Sequence, residues 1–295
     1  MSDTSPQMRV ALVGAGSVGT AVAYLLRSRG HIITGVASRS QSSAETAAER
    51  LGAKVFDQTR AVSADVVLLG VPEPAIEDAA ADIARWVGPG CKVVHFAGAA
   101  GVEPLGPVTC MGARPAALHP VQACPDVDTA IKRLPGSAWG VTCSEDVREW
   151  SHALIRDCFE GSPVDVKEAD RVIWHAAAVS TSNAIAGLMA TGESLLRSIG
   201  IEAPTEVLGP ISAGTIANAL EVGGGANALT GPVVRGERDT IERHARAIHS
   251  RAPELLSAYL DAVQVVLTAA RTAGRIDEAT ATQIEQILKE ASSWM

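Results

Sequence analysis

An open α/β sheet of largely parallel strands followed by an all-helical region is the fold class that this 295-residue sequence predicts. Three observations predict it. Val10 to Arg39 read as an apolar strand, a Gly14-x-Gly16-x-x-Gly19 turn, a helix and a second apolar strand ending at Ser38-Arg39-Ser40. Strand and helix periods then alternate through the first half, the pattern of a parallel sheet with crossover helices. From Glu168 onward the period is helical and no strand pattern returns. Two domains are therefore expected: 1–165, of Rossmann type, and 166–295, helical, for substrate binding or dimerisation.

The elements follow in order. After the second strand, Ser42 to Leu51 reads as helix, Asp65 to Gly70 as a buried strand, Pro74 to Val87 as helix and Lys92 to Phe96 as strand. Pro115 to His119 and Ala138 to Thr142 read as strands, separated by a loop with Pro120, Pro125 and Pro135. Ser144 to Phe159 returns to helix, and Pro163 to Val166 is a last strand. The helical region opens with one long helix from about Ala169 to Ile199 and continues with a helix from Thr205 to Glu221. After a break at Gly223-Gly-Gly225, further helices begin near Glu237, Pro253 and Asp277.

Each glycine of the opening motif has a physical task. Gly14 permits the tight turn after the strand, Gly16 lets the backbone approach a pyrophosphate, and Gly19 lets helix and strand pack closely. The helix starting at Ser17 and Val18 would aim its free amides and positive dipole end at phosphates. A dinucleotide is the expected ligand. The end of the second strand sharpens the choice, because an NAD site usually carries Asp or Glu there for the ribose 2′-hydroxyl. Ser38, Arg39 and Ser40 instead offer two hydroxyls and a guanidinium, which suit the 2′-phosphate of NADP. The plain alternative for Arg39 is a solvated loop cation.

Composition narrows the function classes. The net charge of −8, with no basic stripe, argues against nucleic-acid binding and against attachment to a membrane surface. Cys91, Cys110, Cys124, Cys143 and Cys158 are odd in number, widely spaced and without a C-x-x-C pair, as expected of reduced thiols in a cytoplasmic protein. The polar start MSDTSPQ lacks the features of a signal peptide, and the apolar stretch Val172 to Ala190 is interrupted by His175, Ser180, Thr181, Ser182 and Asn183. No metal-ligand spacing, Gly-x-Ser-x-Gly elbow or Gly-Lys-Ser phosphate loop occurs.

Candidate site residues cluster where strands end, since ligands of open parallel sheets collect at the carboxyl edge. Val71 and Pro72 follow one strand, and Gly98, which would let the backbone approach a nicotinamide ribose, follows the next. His119 closes another strand, and its imidazole suits carbonyl polarisation or proton exchange; a structural backbone bond is the alternative. Gln122 nearby could orient an amide or carboxylate. On the long helix, His175, Val179, Ser182 and Asn183 fall at i, i+4, i+7 and i+8 and share one face. Such a polar face either lines a cleft or pairs with a neighbouring helix. Arg235, in the turn-rich stretch Leu229 to Asp239, is a candidate clamp for a substrate carboxylate, with Thr230 a possible hydroxyl donor.

The words GAGSVG at 14–19, GVPE at 70–73, ALHPVQ at 117–122, LPGSAWGVTC at 134–143, HAAAVSTSN at 175–183 and ALTGPVVRGE at 228–237 resemble those of a bacterial family. That family joins a Rossmann-like domain to a C-terminal helical domain of unknown function (2520). Some members act as an alternative class of ketopantoate reductase, and the chain is more distantly similar to pyrroline-5-carboxylate reductases and 6-phosphogluconate dehydrogenase-like enzymes. The resemblance implies NADPH-dependent reduction and a homodimer built on the helical domain. Phe96-Ala97 and His119-Pro-Val-Gln-Ala-Cys124 depart from the family pattern near the expected nicotinamide. Related dehydrogenases use a Lys and an Asn on the comparable helix. Here no lysine lies between His175 and Asn183, so the lysine role is not transferred.

The expected function is an NADPH-dependent oxidoreductase that reduces a carbonyl of a 2-oxo acid, ketopantoate being one candidate, or an imine of a small substrate, an anionic one being a candidate. A protonated His119 or His175 would supply the proton, and Asn183 or Ser182 would hold the substrate oxygen. The alternatives are a non-catalytic NADP-binding sensor or scaffold and a reductase that tailors a secondary metabolite.

Overall fold

The computed structural model describes residues 6–56 and 64–295, which divide into two compact units, Met1–Val179 and Ser180–Met295. In the first unit, one sheet contains β1 (Arg9–Val13), β2 (Ile32–Ala37), β3 (Val66–Leu69), β4 (Lys92–His95), β5 (Arg114–Pro120), β6 (Ala138–Cys143) and β7 (Ser162–Asp165). Their order is β2-β1-β3-β4-β5-β6-β7. Every neighbouring pair is parallel except β5 and β6, whose antiparallel register sets His119 opposite Gly140. The largely parallel sheet expected from the alternating periods is thus present. Val55 adds a single parallel bridge to Val36 outside β2.

The central strands are apolar on both faces because helices cover both. Val10 and Leu12 of β1 join a core with α1 (Ser17–Ser28), α2 (Gln41–Leu51), α5 (Val127–Arg133) and α6 (Glu145–Phe159). Ala11 and Val13, one residue out of phase, join the opposite core with α3 (Ile76–Ile83) and α4 (Gly106–Thr109). Helix α5 was not expected. Three prolines mark its surroundings as loop, but Asp126 caps it, accepting from the Thr129 amide at 2.8 Å. The predicted helix over 74–87 is α3 flanked by two 3₁₀ turns, Glu73–Ala75 and Ala84–Trp86.

A 3₁₀ turn, Glu168–Asp170, leads into α7 (Arg171–Thr181). The single helix expected from 169 to 199 is broken at Ser182, with φ of −118° and ψ of −72°, and resumes as α8 (Asn183–Ser198). The second unit continues with α9 (Pro204–Glu221), α10 (Gly225–Ala228), α11 (Arg238–Arg251), α12 (Leu256–Thr272) and α13 (Glu278–Ser292). Its core is formed by α11, α12 and α13, around Ile241, Leu256, Leu267 and Ile284.

Candidate nucleotide and active site

Strand order reverses where β1 lies between β2 and β3, and such a switch point opens a crevice at the carboxyl ends of the strands. Two loops cross there at a separation that only glycine allows. Gly14, at φ 87°, donates its amide to Ala37 O, and a Cβ on it would lie 2.5 Å from Val71 Cγ1. A Cβ on Gly16 would lie 2.6 Å from Gly70 O, and one on Gly19 2.6 Å from Gly70 Cα. The three motif glycines therefore close on a fourth, Gly70, whose role the sequence reading missed. Gly16 caps α1 without a side-chain bond, so the first-turn amides at Ser17 and Val18 carry no side-chain cap. Closely approachable backbone beside uncapped amides is the donor set a pyrophosphate takes, and NADP fits it.

A cleft of about 410 Å³ continues from this crossing, lined by Gly14, Gly16, Ser38, Arg39, Ser43, Val71 and Pro72, and by Asp78 and Asp82 of α3. Ser40 Oγ caps α2, accepting from the Ser43 amide at 3.3 Å and from the Ser43 hydroxyl at 3.1 Å. Ser43 lines the cleft wall. Arg39 is exposed and β2 ends without a carboxylate.

Farther along the same edge, β4 and β5 deliver a second group of residues. Gly98 is flanked by two imidazoles: a Cβ there would lie 2.3 Å from His175 Cδ2 and 3.0 Å from His119 Nε2. What the bare Gly98 admits in this structure is these two rings. Their centroids are 5.7 Å apart and they meet edge to face at 88°. Trp174 Nε1 donates to His119 Nδ1 at 3.0 Å, so the neutral His119 ring carries its proton on Nε2. Burial, the Arg171 guanidinium and then His175 push the His119 pKa down to about 4. At neutral pH this imidazole is a fixed N–H donor. These surroundings oppose the imidazolium form and favour the neutral N–H donor.

The loop after β4 is pinned from several directions. His95 accepts from the Ala97 amide at 3.2 Å through Nδ1 and bonds Gly101 O at 2.6 Å through Nε2, and burial pushes its pKa to about 4. Arg171, 0% exposed, donates to Ala97 O at 2.5 Å, Ala100 O at 3.0 Å and Gly140 O at 3.2 Å. Glu168 accepts from the amides of Val102 and Glu103. Gly101 and Gly140 leave the space that Glu168 and the Trp174 ring occupy. Sequence reasoning missed Arg171, Trp174 and Glu168; the faint signal was the three glycines at 98, 101 and 140.

The remaining candidates have the following surroundings. The Gln122 amide nitrogen donates to Arg133 O and Ser137 Oγ, and its oxygen accepts from Ala123 N, so the side chain braces its own loop. Arg235 is exposed and paired with Glu237 at 2.5 Å, which holds its pKa above the ordinary value through that hydrogen bond. Thr230 is exposed. The break at Ser182 interrupts the register expected to align His175 with Ser182 and Asn183, and both of the latter are exposed. Among the described residues no group of three or more His, Cys, Asp or Glu is placed to hold a metal ion.

Comparison with known proteins places these features. The model of the Rossmann-like domain matches residues 2–120, and that of a domain of unknown function (DUF2520) matches 137–265. No curated protein matches the sequence. Among solved structures, a Bacteroides fragilis protein assigned as an NADP oxidoreductase is 20% identical, with 88% of this chain and 98% of that chain covered and a TM-score of 0.75. An imine reductase from a Pseudomonas species is 16% identical over 95% and 99% of the two chains, with a TM-score of 0.63. A pyrroline-5-carboxylate reductase from Coxiella burnetii is 18% identical over 98% and 99%, with a TM-score of 0.55. In chain order, then, the sequence is similar to a Rossmann-like domain over 2–120 and to DUF2520 over 137–265.

Proposed function

We propose that the protein is an NADPH-dependent oxidoreductase that reduces the carbonyl carbon of a small 2-oxo acid, ketopantoate being one candidate, or an imine. One observation carries the reading: the four-glycine crossing and the His119–His175 pair lie along one carboxyl edge of one sheet, from β1 and β3 to β4 and β5. From β3 to β5 is two strand spacings, roughly 10 Å, a step the nicotinamide half of a dinucleotide spans. The similar folds add support, since they include an NADP oxidoreductase, an imine reductase and a reductive aminase from Aspergillus terreus in complex with NADPH.

Bound in the cleft, NADPH would supply a hydride. Ser38, Arg39 and Ser43 hold the 2′-phosphate, while Val71 and Pro72 wall the cofactor path. His119, neutral and fixed by Trp174, donates its Nε2–H to the substrate oxygen or nitrogen, and His175 provides the matching proton. Ser182 and Asn183 are assigned to holding the substrate, and a second copy of the chain covers the apolar helices of the second unit.

The test is an NADPH-oxidation screen over 2-oxo acids and cyclic imines, ketopantoate included, with His119→Ala, His175→Ala and Asn183→Ala in parallel. Turnover of one compound class, lost in the His119 and His175 variants, is expected. Tight NADP binding with no oxidation of NADPH by any compound overturns the reading in favour of a sensor. Unchanged turnover in Asn183→Ala removes that residue from the site.

A further inference from the structure

The Arg171 guanidinium sits directly behind the Gly98 backbone, and its surroundings are unusual for a charge. It is fully buried and donates three bonds to the neutral carbonyls of Ala97, Ala100 and Gly140. It makes no ion pair with any described residue. Buried guanidinium groups ordinarily carry a carboxylate partner, because an uncompensated charge in a medium of low dielectric is costly. Glu168 and Glu73 are near enough to be felt, yet both are exposed, and the Glu168 carboxylate is turned onto the amides of Val102 and Glu103. Water screens their charges far more than it screens a buried one.

We propose that Arg171 sets the charge preference of the His119–His175 site: its uncompensated buried guanidinium, one peptide unit behind Gly98, favours a ligand with an anionic group and disfavours a neutral or cationic one. The inference rests on the reading of that site as the place where substrate binds. Arg171 acts on the ligand through its field and through the loop it clamps, since its Nε, Nη1 and Nη2 atoms each donate to a carbonyl. Its charge adds to burial in holding His119 toward the neutral form, whereas at His95 the charges of Glu73 and Glu168 work against it. No carboxylate stands between the guanidinium and the imidazole pair in the contacts of Gly98 or His119. Arg235, the cation that sequence position suggests for this task, is bound to Glu237 on the surface.

The experiment titrates oxamate, an unreactive carboxylate, and its neutral methyl ester into the NADP-loaded full-length protein, following heat and the His119 imidazole resonance. The wild type is expected to prefer oxamate by roughly tenfold or more, with the His119 resonance shifting in the oxamate titration. Arg171→Lys, which keeps the charge but loses the fork of carbonyl bonds, should retain the preference; Arg171→Met should bring the two ligands to near-equal affinity. A purely structural Arg171 would weaken both ligands alike in both variants, and that pattern overturns the proposal. Should Arg171→Met fail to fold, the wild type decides: equal binding of acid and ester, or a silent His119 resonance, overturns it. Failure of NADP to bind at all sinks the cofactor reading instead, and is seen separately in the loading step.

Discussion

Arg39 and the buried histidines carry the tests that belong to single residues. Arg39 lines the cleft beside Ser38 and Ser43, where no carboxylate competes at the end of β2. A charge-assisted bond to phosphate contributes about 1.5–3 kcal/mol, so Arg39→Ala should weaken NADPH binding roughly tenfold to a hundredfold and leave NADH nearly unchanged. Equal loss for both cofactors, read by fluorescence titration, would remove the 2′-phosphate from Arg39. The histidines make a second prediction, about stability. His95 and His119 are both lowered from 6.5 to about 4, burial being the largest cause, and burial lowers His31 as well. These imidazoles therefore stay neutral in the folded chain where the unfolded chain protonates them. Their contribution to stability is complete above pH 6.5 and falls as pH drops toward about 4, each of the two deeper histidines contributing up to about 1.4 kcal/mol per pH unit. Urea unfolding followed across that window should show the slope, and His119→Asn should flatten it. A pH-independent midpoint across the window would contradict the buried neutral assignment.

Between elements, glycines decide what can approach what, and two substitutions separate rigid from yielding contacts. A Cβ on Gly70 would lie 2.5 Å from Gly14 O, backbone against backbone, with nothing free to rotate away. Gly70→Ala should cost about 3 kcal/mol or more and abolish nucleotide binding. The nearest atoms that a Cβ on Gly101 would meet belong to the Glu168 carboxylate, the far end of a flexible side chain. Gly101→Ala should cost about 1–2 kcal/mol, the two amide bonds that Glu168 gives up. Thermal melts in the reverse order would refute the crossing as the rigid point. The same contrast explains what could be read in advance. Apolar runs and the Gly14-x-Gly16-x-x-Gly19 spacing are local signals, and they yielded the sheet and its nucleotide loop. Gly70, Gly101 and Gly140 matter through partners far away in the chain, and nothing beside them in sequence distinguishes them from turn glycines. Ser40 and Ser43 show the limit on a finer scale: both follow β2, and only the folded geometry shows that Ser40 caps α2 while Ser43 lines the cleft. Helix α5 was hidden by three prolines, although Asp126 and Thr129 were in place to cap it.

At the scale of the molecule, the second unit exposes several large apolar side chains. On α9, Val207 is 56% exposed, Ile211 67% and Leu220 79%, although most of the helix is apolar. Residues 168–198 also form a helical run long and apolar enough, by length and composition, to cross a membrane. A bilayer is nevertheless the poorer partner. Arg171 is held by three carbonyls of the first unit and Trp174 by His119, so the start of that run is fastened to the sheet. What remains free is α8, 16 residues, about 24 Å of helix against a hydrocarbon core of about 30 Å. Glu193 and Arg197, paired at 3.3 Å near its end, shorten the apolar part further. A second copy of the chain satisfies the same surface without moving the anchored turn. The protein should therefore run as a dimer by light scattering in buffer without detergent, and Ile211→Glu combined with Leu220→Glu should yield monomers that retain the melting transition of the first unit. A wild-type monomer that partitions onto lipid vesicles would reverse the assignment.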